Sequence, residues 1–294
     1  MTKNNQLGAR SYQPQFKEIL QTVFEKRAYF GDFFAGGIEA LDGVQHNENA
    51  FYVKTSDIPV VVGTYNTDAD VAFGTGTSNS NRFGERTEVI YTDTPVPYTW
   101  DFAFHEGIDR RTVNNSLDAA VADRLVLQSQ AKLNQFNKHH AEFISASAGE
   151  EMELTAVNEE AVLKLFNDLS AHYINIQSIG QKVAKVTPEL YNVIVDHKLT
   201  TTSKRSSADI DKNEIVMFKG FEIEELPETL VAEGDVAYTY IRGVAKAFTG
   251  INTARTIESE DFDGVALQGA GKAGEFILED NKAAVVKIKG TDTP

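Results

Sequence analysis

The stretch from Asn114 to Ala148, NNSLDAAVADRLVLQSQAKLNQFNKHHAEFISASA, reads as one continuous helix. Leu117, Val121 and Leu125 fall on one stripe, and Leu133, Phe136, Phe143 and Ile144 continue a helical spacing. At a rise of about 1.5 Å per residue such a helix is on the order of 50 Å long, whereas an average helix has about 11–12 residues. A helix of that length crosses a whole domain, so the remainder of the chain has to be arranged along it. That remainder is rich in strand and turn signals.

Composition narrows the function classes. The 294 residues suffice for one large or two moderate domains. There is no cysteine, which excludes disulfides and thiolate metal sites. No run of about 18 apolar residues exists, so no helical membrane span is expected. MTKNNQLGARSYQPQ lacks the apolar centre of a secretory signal. The net charge of -15 argues against tight wrapping of nucleic acid, which needs clustered Lys and Arg. It does not argue against a protein that merely encloses nucleic acid.

Upstream of the long helix, QPQFKEILQTVFEKRAYF places Phe16, Ile19, Leu20, Val23 and Phe24 at helical spacing, with Pro14 suited to a first turn. This short amphipathic helix needs a partner surface. GDFFAGGIEALDG reads as an aromatic, glycine-rich turn. FYVKTSDIPVVVGTYN and RTEVIYTDTPVPYTWDFAFHEG have strand character, and between them lies TDADVAFGTGTSNSNRFGE, nearly devoid of core-forming residues. The pattern is that of a long two-stranded arm with a polar tip.

Downstream, Thr155 or Asn158 can cap a helix through Leu163, Leu165, Phe166, Leu169 and Tyr173, and Thr187-Pro188-Glu189 starts another. TTTSKRSSADID is a loop. EIVMFKGFEIEEL is a hairpin turning at Lys219-Gly220, VAYTYIRGVAKAF is a strand pair, and short strands close the chain.

Motifs with chemical meaning are few. Gly269-Ala270-Gly271-Lys272-Ala273-Gly274 matches G-x-G-x-x-G, but a β-rich segment follows where a dinucleotide site needs a helix N-terminus, so it reads as a structural glycine turn. Asp209-Ile210-Asp211 opens like a calcium loop yet has Glu214 and Gly220 where Gly and Glu are needed. None of the histidines, at 46, 105, 139, 140, 172 and 197, forms an H-x-x-x-H pair. His139 and His140 are helix neighbours and face different directions. No G-x-S-x-G elbow is present. No catalytic, cofactor-binding or metal-ligating residue is singled out, and the chain does not read as an enzyme.

The order of elements resembles the tailed-bacteriophage major capsid proteins of the Hong Kong 97-like fold. Four stretches carry the resemblance: NNQLGARSYQPQFKEILQTVFEKRAYF, NAFYVKTSDIPVVVGTYN, YTWDFAFHEGIDRRTVNNSLDAAVADRL and FDGVALQGAGKAGEFILEDNKAAVVKIKG. The resemblance implies an α+β fold with an N-terminal arm (1–43), an extended β-hairpin loop (44–97), a peripheral domain with the spine helix (98–150), an axial domain (151–250) and C-terminal strands completing the body (251–294). It implies hexamers and pentamers forming an icosahedral head around double-stranded DNA, without sequence-specific binding or membrane contact. A separate scaffolding protein and a portal protein are the implied partners, and the implied location is the virion, assembled in the host cytoplasm. Asp70, Arg82, Glu85 and Arg86 of the arm tip, with Phe16, Leu20 and Phe24 of the N-terminal helix, are the expected intersubunit contacts.

The founding member of that family joins an arm lysine to an asparagine of another subunit. Between Asn66 and Arg86 this chain has no lysine, and Lys54 lies at the arm base. No such cross-link is expected. The alternatives are an encapsulin-type nanocompartment shell, a phage head or tail accessory protein, and a nucleotide-dependent enzyme using the glycine segment.

Overall fold

The computed structural model describes residues 27–41, 48–56, 58, 60–68, 71, 82–84, 86–113, 116–202, 208–209 and 212–290. In chain order the regular elements are β1 (Phe34–Ala40), β2 (Asn49–Thr55), β3 (Thr92–Pro97), β4 (Trp100–Asp109), α1 (Leu117–Ser147), β5 (Glu150–Leu154), α2 (Glu159–Asn175), β6 (Lys182–Val186), α3 (Pro188–Asp196), the short α4 (Lys198–Thr202), β7 (Ala208–Asp209), β8 (Glu214–Ile215), β9 (Met217–Phe218), β10 (Phe221–Glu225), β11 (Asp235–Ile241), β12 (Ala245–Glu258), β13 (Gly264–Ile277) and β14 (Val285–Gly290). The chain divides into two compact units, Met1–His46 with Tyr98–Pro294, and Asn47–Pro97.

The larger unit contains two main sheets. One has the order β1-β12-β13-β4, the other β5-β14-β11-β6-β10-β9. In the second, β6 carries alternating residues to opposite faces. Ala184 and Val186 join the core beneath α2 and α3, with Leu165, Phe166, Leu169, Tyr173, Leu190 and Ile194. Val183 joins the other core, with Tyr238, Tyr240, Phe30, Phe33, Phe34 and the Ala141–Ile144 turn of α1. The sheet is therefore covered on both faces. The first sheet receives α1 through Phe136 against Phe102 and Ala273, with Trp100 and Phe104 beside them.

The long helix forms as its spacing predicts, over 31 residues, capped by Ser116, whose hydroxyl accepts from the Ala119 amide. Its burial is uneven. Phe136, Asn137, His140, Ala141, Ile144 and Ser147 are buried in the C-terminal half. At the other end Leu117 and Val121 are half-buried and Leu125 is exposed. There the helix is tethered to β4 by polar contacts instead. Arg124 and Gln128 both bind the Glu106 carboxylate, and the hydrogen bond from Arg124 holds that carboxyl below its usual range.

Asn158 is the cap of α2, accepting from the Ala161 amide at 2.9 Å, and Pro188 opens α3. Lys219 and Gly220 turn the β9–β10 hairpin with φ of 52° and 85°, as a two-residue primed turn requires.

Four readings of the sequence are corrected. GDFFAGGIEALDG is a turn only through Phe33; Phe34–Ala40 is a strand, and both phenylalanines are core. VAYTYIRGVAKAF is two strands that do not pair, since β11 and β12 belong to different sheets and the Arg242-Gly243 turn passes between them. The basic Ser-rich loop begins with a helical turn, Lys198–Thr202. The Gly269–Gly274 run is not a turn. It lies inside the continuous strand β13, where bare Cα positions admit neighbouring rings. A Cβ on Gly271 would strike Phe102, and one on Gly274 would come within 2.8 Å of the Phe248 ring.

In the smaller unit β2 and β3 form an antiparallel ladder from Thr55↔Thr92 to Asn49↔Pro97. Lys54 is ion-paired to Asp93 across the ladder at 3.2 Å. The described residues between Ser56 and Tyr91 belong to no strand. Among the described residues the two apolar runs form a ladder only at this base, with one further backbone hydrogen bond from Asn66 to Arg82.

Candidate functional site

The described surface of the smaller unit is unusually apolar for its size. Val60, Val61 and Val62 are 91%, 78% and 91% exposed. Tyr52, Tyr65, Phe83, Val89, Ile90 and Tyr91 are exposed as well. Scattered exposed apolar residues are ordinary, but contiguous runs of them mark interaction surfaces. Of these, Tyr52 belongs to β2 and is paired with β3, while Val60, Val61 and Val62 belong to no strand among the described residues.

Arg82 and Arg86 lie in this unit. Asn66 and Arg82 bridge the strands' continuation. The Asn66 amide donates to the Arg82 carbonyl at 3.0 Å, and the Arg82 guanidinium donates to the Asn66 carbonyl at 3.3 Å. Tyr65 and Phe83 meet edge to face at 5.1 Å beside them. Arg82 is thus partly used within its own chain, whereas Arg86 is exposed. Asp70, Glu85, Phe16, Leu20 and Phe24 lie outside the described residues.

The larger unit has two buried polar clusters that sequence spacing does not reveal. In the first, Lys185 of β6 is 1% exposed, with its ammonium 3.2 Å from Asp32 Oδ1 and 2.6 Å from Glu224 Oε2. The Tyr240 hydroxyl donates to the same Asp32 oxygen at 3.0 Å, and Arg27 reaches Glu224 at 2.9 Å. Burial, then the negative charge of Asp32, push the Tyr240 hydroxyl well above its ordinary range, so it stays protonated as a donor. Asn137 of α1 fixes the approach of this segment, donating to the Arg27 carbonyl and accepting from the Tyr29 amide.

In the second cluster His140 of α1 lies 3.5 Å from Glu275 of β13. Trp100 and Thr99 donate to that carboxylate at 3.2 Å each. Burial drops the His140 imidazole from 6.5 to about 3 and raises the Glu275 carboxyl. His139, its neighbour, instead stacks on the Trp100 ring at 4.1 Å. The two histidines diverge as helix geometry demands, and both serve the packing of α1 on the sheet.

A cavity of about 350 Å³ lies between the less buried half of α1 and the sheet, lined by Phe102, Phe104, Leu125, Lys132, Arg255 and Leu267 with the backbone of Gly269 and Ala270. The glycine segment supplies a strand wall there, with no helix N-terminus to receive phosphates. Asp209 pairs with Lys212 in the β7–β8 region, and among the described residues no group of three or more His, Asp or Glu is placed to hold a metal ion. Among them, too, no helix is long and apolar enough to cross a membrane.

No protein-family model matches the sequence, and no curated protein matches it either. Solved structures do match the architecture. The capsid of cyanophage P-SCSP1u superposes with a TM-score of 0.68 at 11% identity, covering 92% of this chain and 90% of that one. The mature capsid of bacteriophage PhiM1 gives 0.65 at 11% identity, over 92% and 89% of the two chains. The chain has the Hong Kong 97-like capsid fold. The capsid of Ralstonia phage GP4 extends the likeness, with a TM-score of 0.58 and coverage of 92% and 93% at 11% identity.

Proposed function

We propose that this chain is a major capsid protein. It assembles into hexamers and pentamers that close an icosahedral head around double-stranded DNA, as a component of the virion. The observation that carries this reading is the exposed apolar run Val60–Val62, within a chain that shares its fold with a capsid subunit over 92% of its length. A subunit that tiles a shell needs broad contact surfaces, and a smaller unit with bare valines offers one. The net charge of -15 keeps free subunits soluble and holds packaged DNA off the wall.

The extended loop of one subunit lies on a neighbour, with Arg82 and Arg86 meeting carboxylates there in forked pairs. Phe16, Leu20 and Phe24 form the second contact. Asp70 and Glu85 sit at the tip. Assembly takes place in the host cytoplasm on a separate scaffolding protein, with a portal protein at one vertex.

Electron microscopy and sedimentation of the full chain, expressed with and without a candidate scaffold, test the reading. Closed shells or capsomer rings are expected. A compact monomer in both conditions would refute it, and shells filled with a host enzyme would assign the chain to the nanocompartment class. Denaturing gels of the particles should show a single monomer band, since the arm tip between Asn66 and Arg86 offers no lysine amine to a neighbour.

A further inference from the structure

We propose that Lys185 and Asp32 become joined by an intramolecular isopeptide bond, formed within the folded subunit with Glu224 as proton carrier and Tyr240 as oxyanion donor. The inference rests on the geometry of the larger unit and is independent of shell assembly.

The reacting groups are already at bonding approach. Lys185 Nζ is 3.2 Å from Asp32 Oδ1, an ion-pair contact that sets the amine beside the carboxyl carbon it would attack. The Lys185 side chain is almost wholly removed from solvent. In the reaction one proton first moves from Nζ to the Asp32 carboxyl, which sets a neutral amine beside a neutral acid. That is the reactive pair for amide formation.

Each remaining role has an occupant. The amine lone pair attacks Asp32 Cγ, and the developing charge on Oδ1 is met by the Tyr240 hydroxyl, which already donates to it at 3.0 Å. Glu224, 2.6 Å from Nζ, takes the surplus proton of the new ammonium and passes it to Oδ2. Asp32 Oδ2 is buried with no hydrogen-bond partner. A buried orphan oxygen is costly to keep, and here it is the atom that departs as water. One N–C bond forms, one C–O bond breaks, and one water leaves; no oxidant or cofactor is consumed.

The bond would pin the segment leading into β1 to a central strand of the six-stranded sheet. Being within one chain, it leaves a denaturing gel at the monomer position. Intact-mass spectrometry of the denatured full chain tests it, with tandem sequencing of a digest. The wild type is expected one water lighter than its sequence, allowing for Met1, with a branched peptide linking Asp32 to Lys185. Glu224→Gln, folded by circular dichroism, is expected at full mass with two separate peptides, and Tyr240→Phe at a mixture of both masses. A folded wild type at full sequence mass, with Asp32 and Lys185 in separate peptides, overturns the proposal. A branched peptide that persists in Glu224→Gln overturns the role given to Glu224.

Discussion

At the scale of single residues, His140 sets a pH dependence whose sign follows from its burial. Above about 6.5 the imidazole is neutral in the folded and unfolded chain alike, and stability is complete. As the pH falls from 6.5 towards 3 the unfolded chain binds a proton that the native site refuses, and stability is lost. Glu275 works in the opposite sense, because burial raises its carboxyl and acid relieves the cost of its ionised form. His140→Phe should therefore shrink the drop in melting temperature between about pH 8 and about pH 5. Parallel curves for variant and wild type would mean that the imidazole binds its proton equally in the native and unfolded chain, and a larger drop in the variant would mean that the native imidazole is protonated and paired with Glu275. The glycines of β13 give a second residue-scale outcome. A Cβ at Gly271 meets both the Phe102 ring and the Gly250 carbonyl oxygen, the latter backbone that cannot turn aside. Gly271→Ala should cost about 1–3 kcal/mol by urea unfolding. Gly63→Ala, which meets nothing within 4 Å, should stay within about ±0.5 kcal/mol.

Elements depend on their ends as much as on their faces. Asn158 satisfies a free amide of the first turn of α2, so Asn158→Ala should lower stability by about 0.5–2 kcal/mol, and Asn158→Ser should recover most of it. Equal losses in both variants would show that the cap bond is not what the residue supplies. This cap was legible in the sequence as one of two candidates, Thr155 and Asn158, as were the long helix, Pro188 at the head of α3 and the Lys219-Gly220 turn. Each is a local device, set by the chemistry of a few adjacent residues. What stayed hidden is what the tertiary arrangement decides. Phe33 and Phe34 sit among glycines and read as a turn until a sheet and a helix close over them. The β13 glycines read as a turn because nothing local announces the rings of Phe102 and Phe248 that need the space. β11 and β12 look like a hairpin because their short connection says nothing about which sheet each strand joins. Lys185 and Asp32 lie far apart in the chain, and no spacing rule pairs them.

For the whole molecule, the separation of two compact units predicts that damage to one need not reach the other. Val61 is 78% exposed, so Val61→Asp should leave unfolding within about ±0.5 kcal/mol of wild type while lowering particle yield. Normal yield from that variant would remove the valine run from the contact surface. Deleting Ala72 to Gly84 should likewise leave the circular dichroism of the body intact and stop or weaken assembly. A deletion variant that cannot fold would place the loop in the core of the subunit. Chain order within the six-stranded sheet has a different consequence. β5 has one neighbour, β14, which lies between it and β11 and follows every other described strand in the chain. While the polypeptide is still emerging from the ribosome, β5 has nothing to pair with and β11 has an open edge. The sheet can be completed only after residue 290 has cleared the exit tunnel, so a product truncated before β14 leaves β5 without its neighbour and β11 with an open edge.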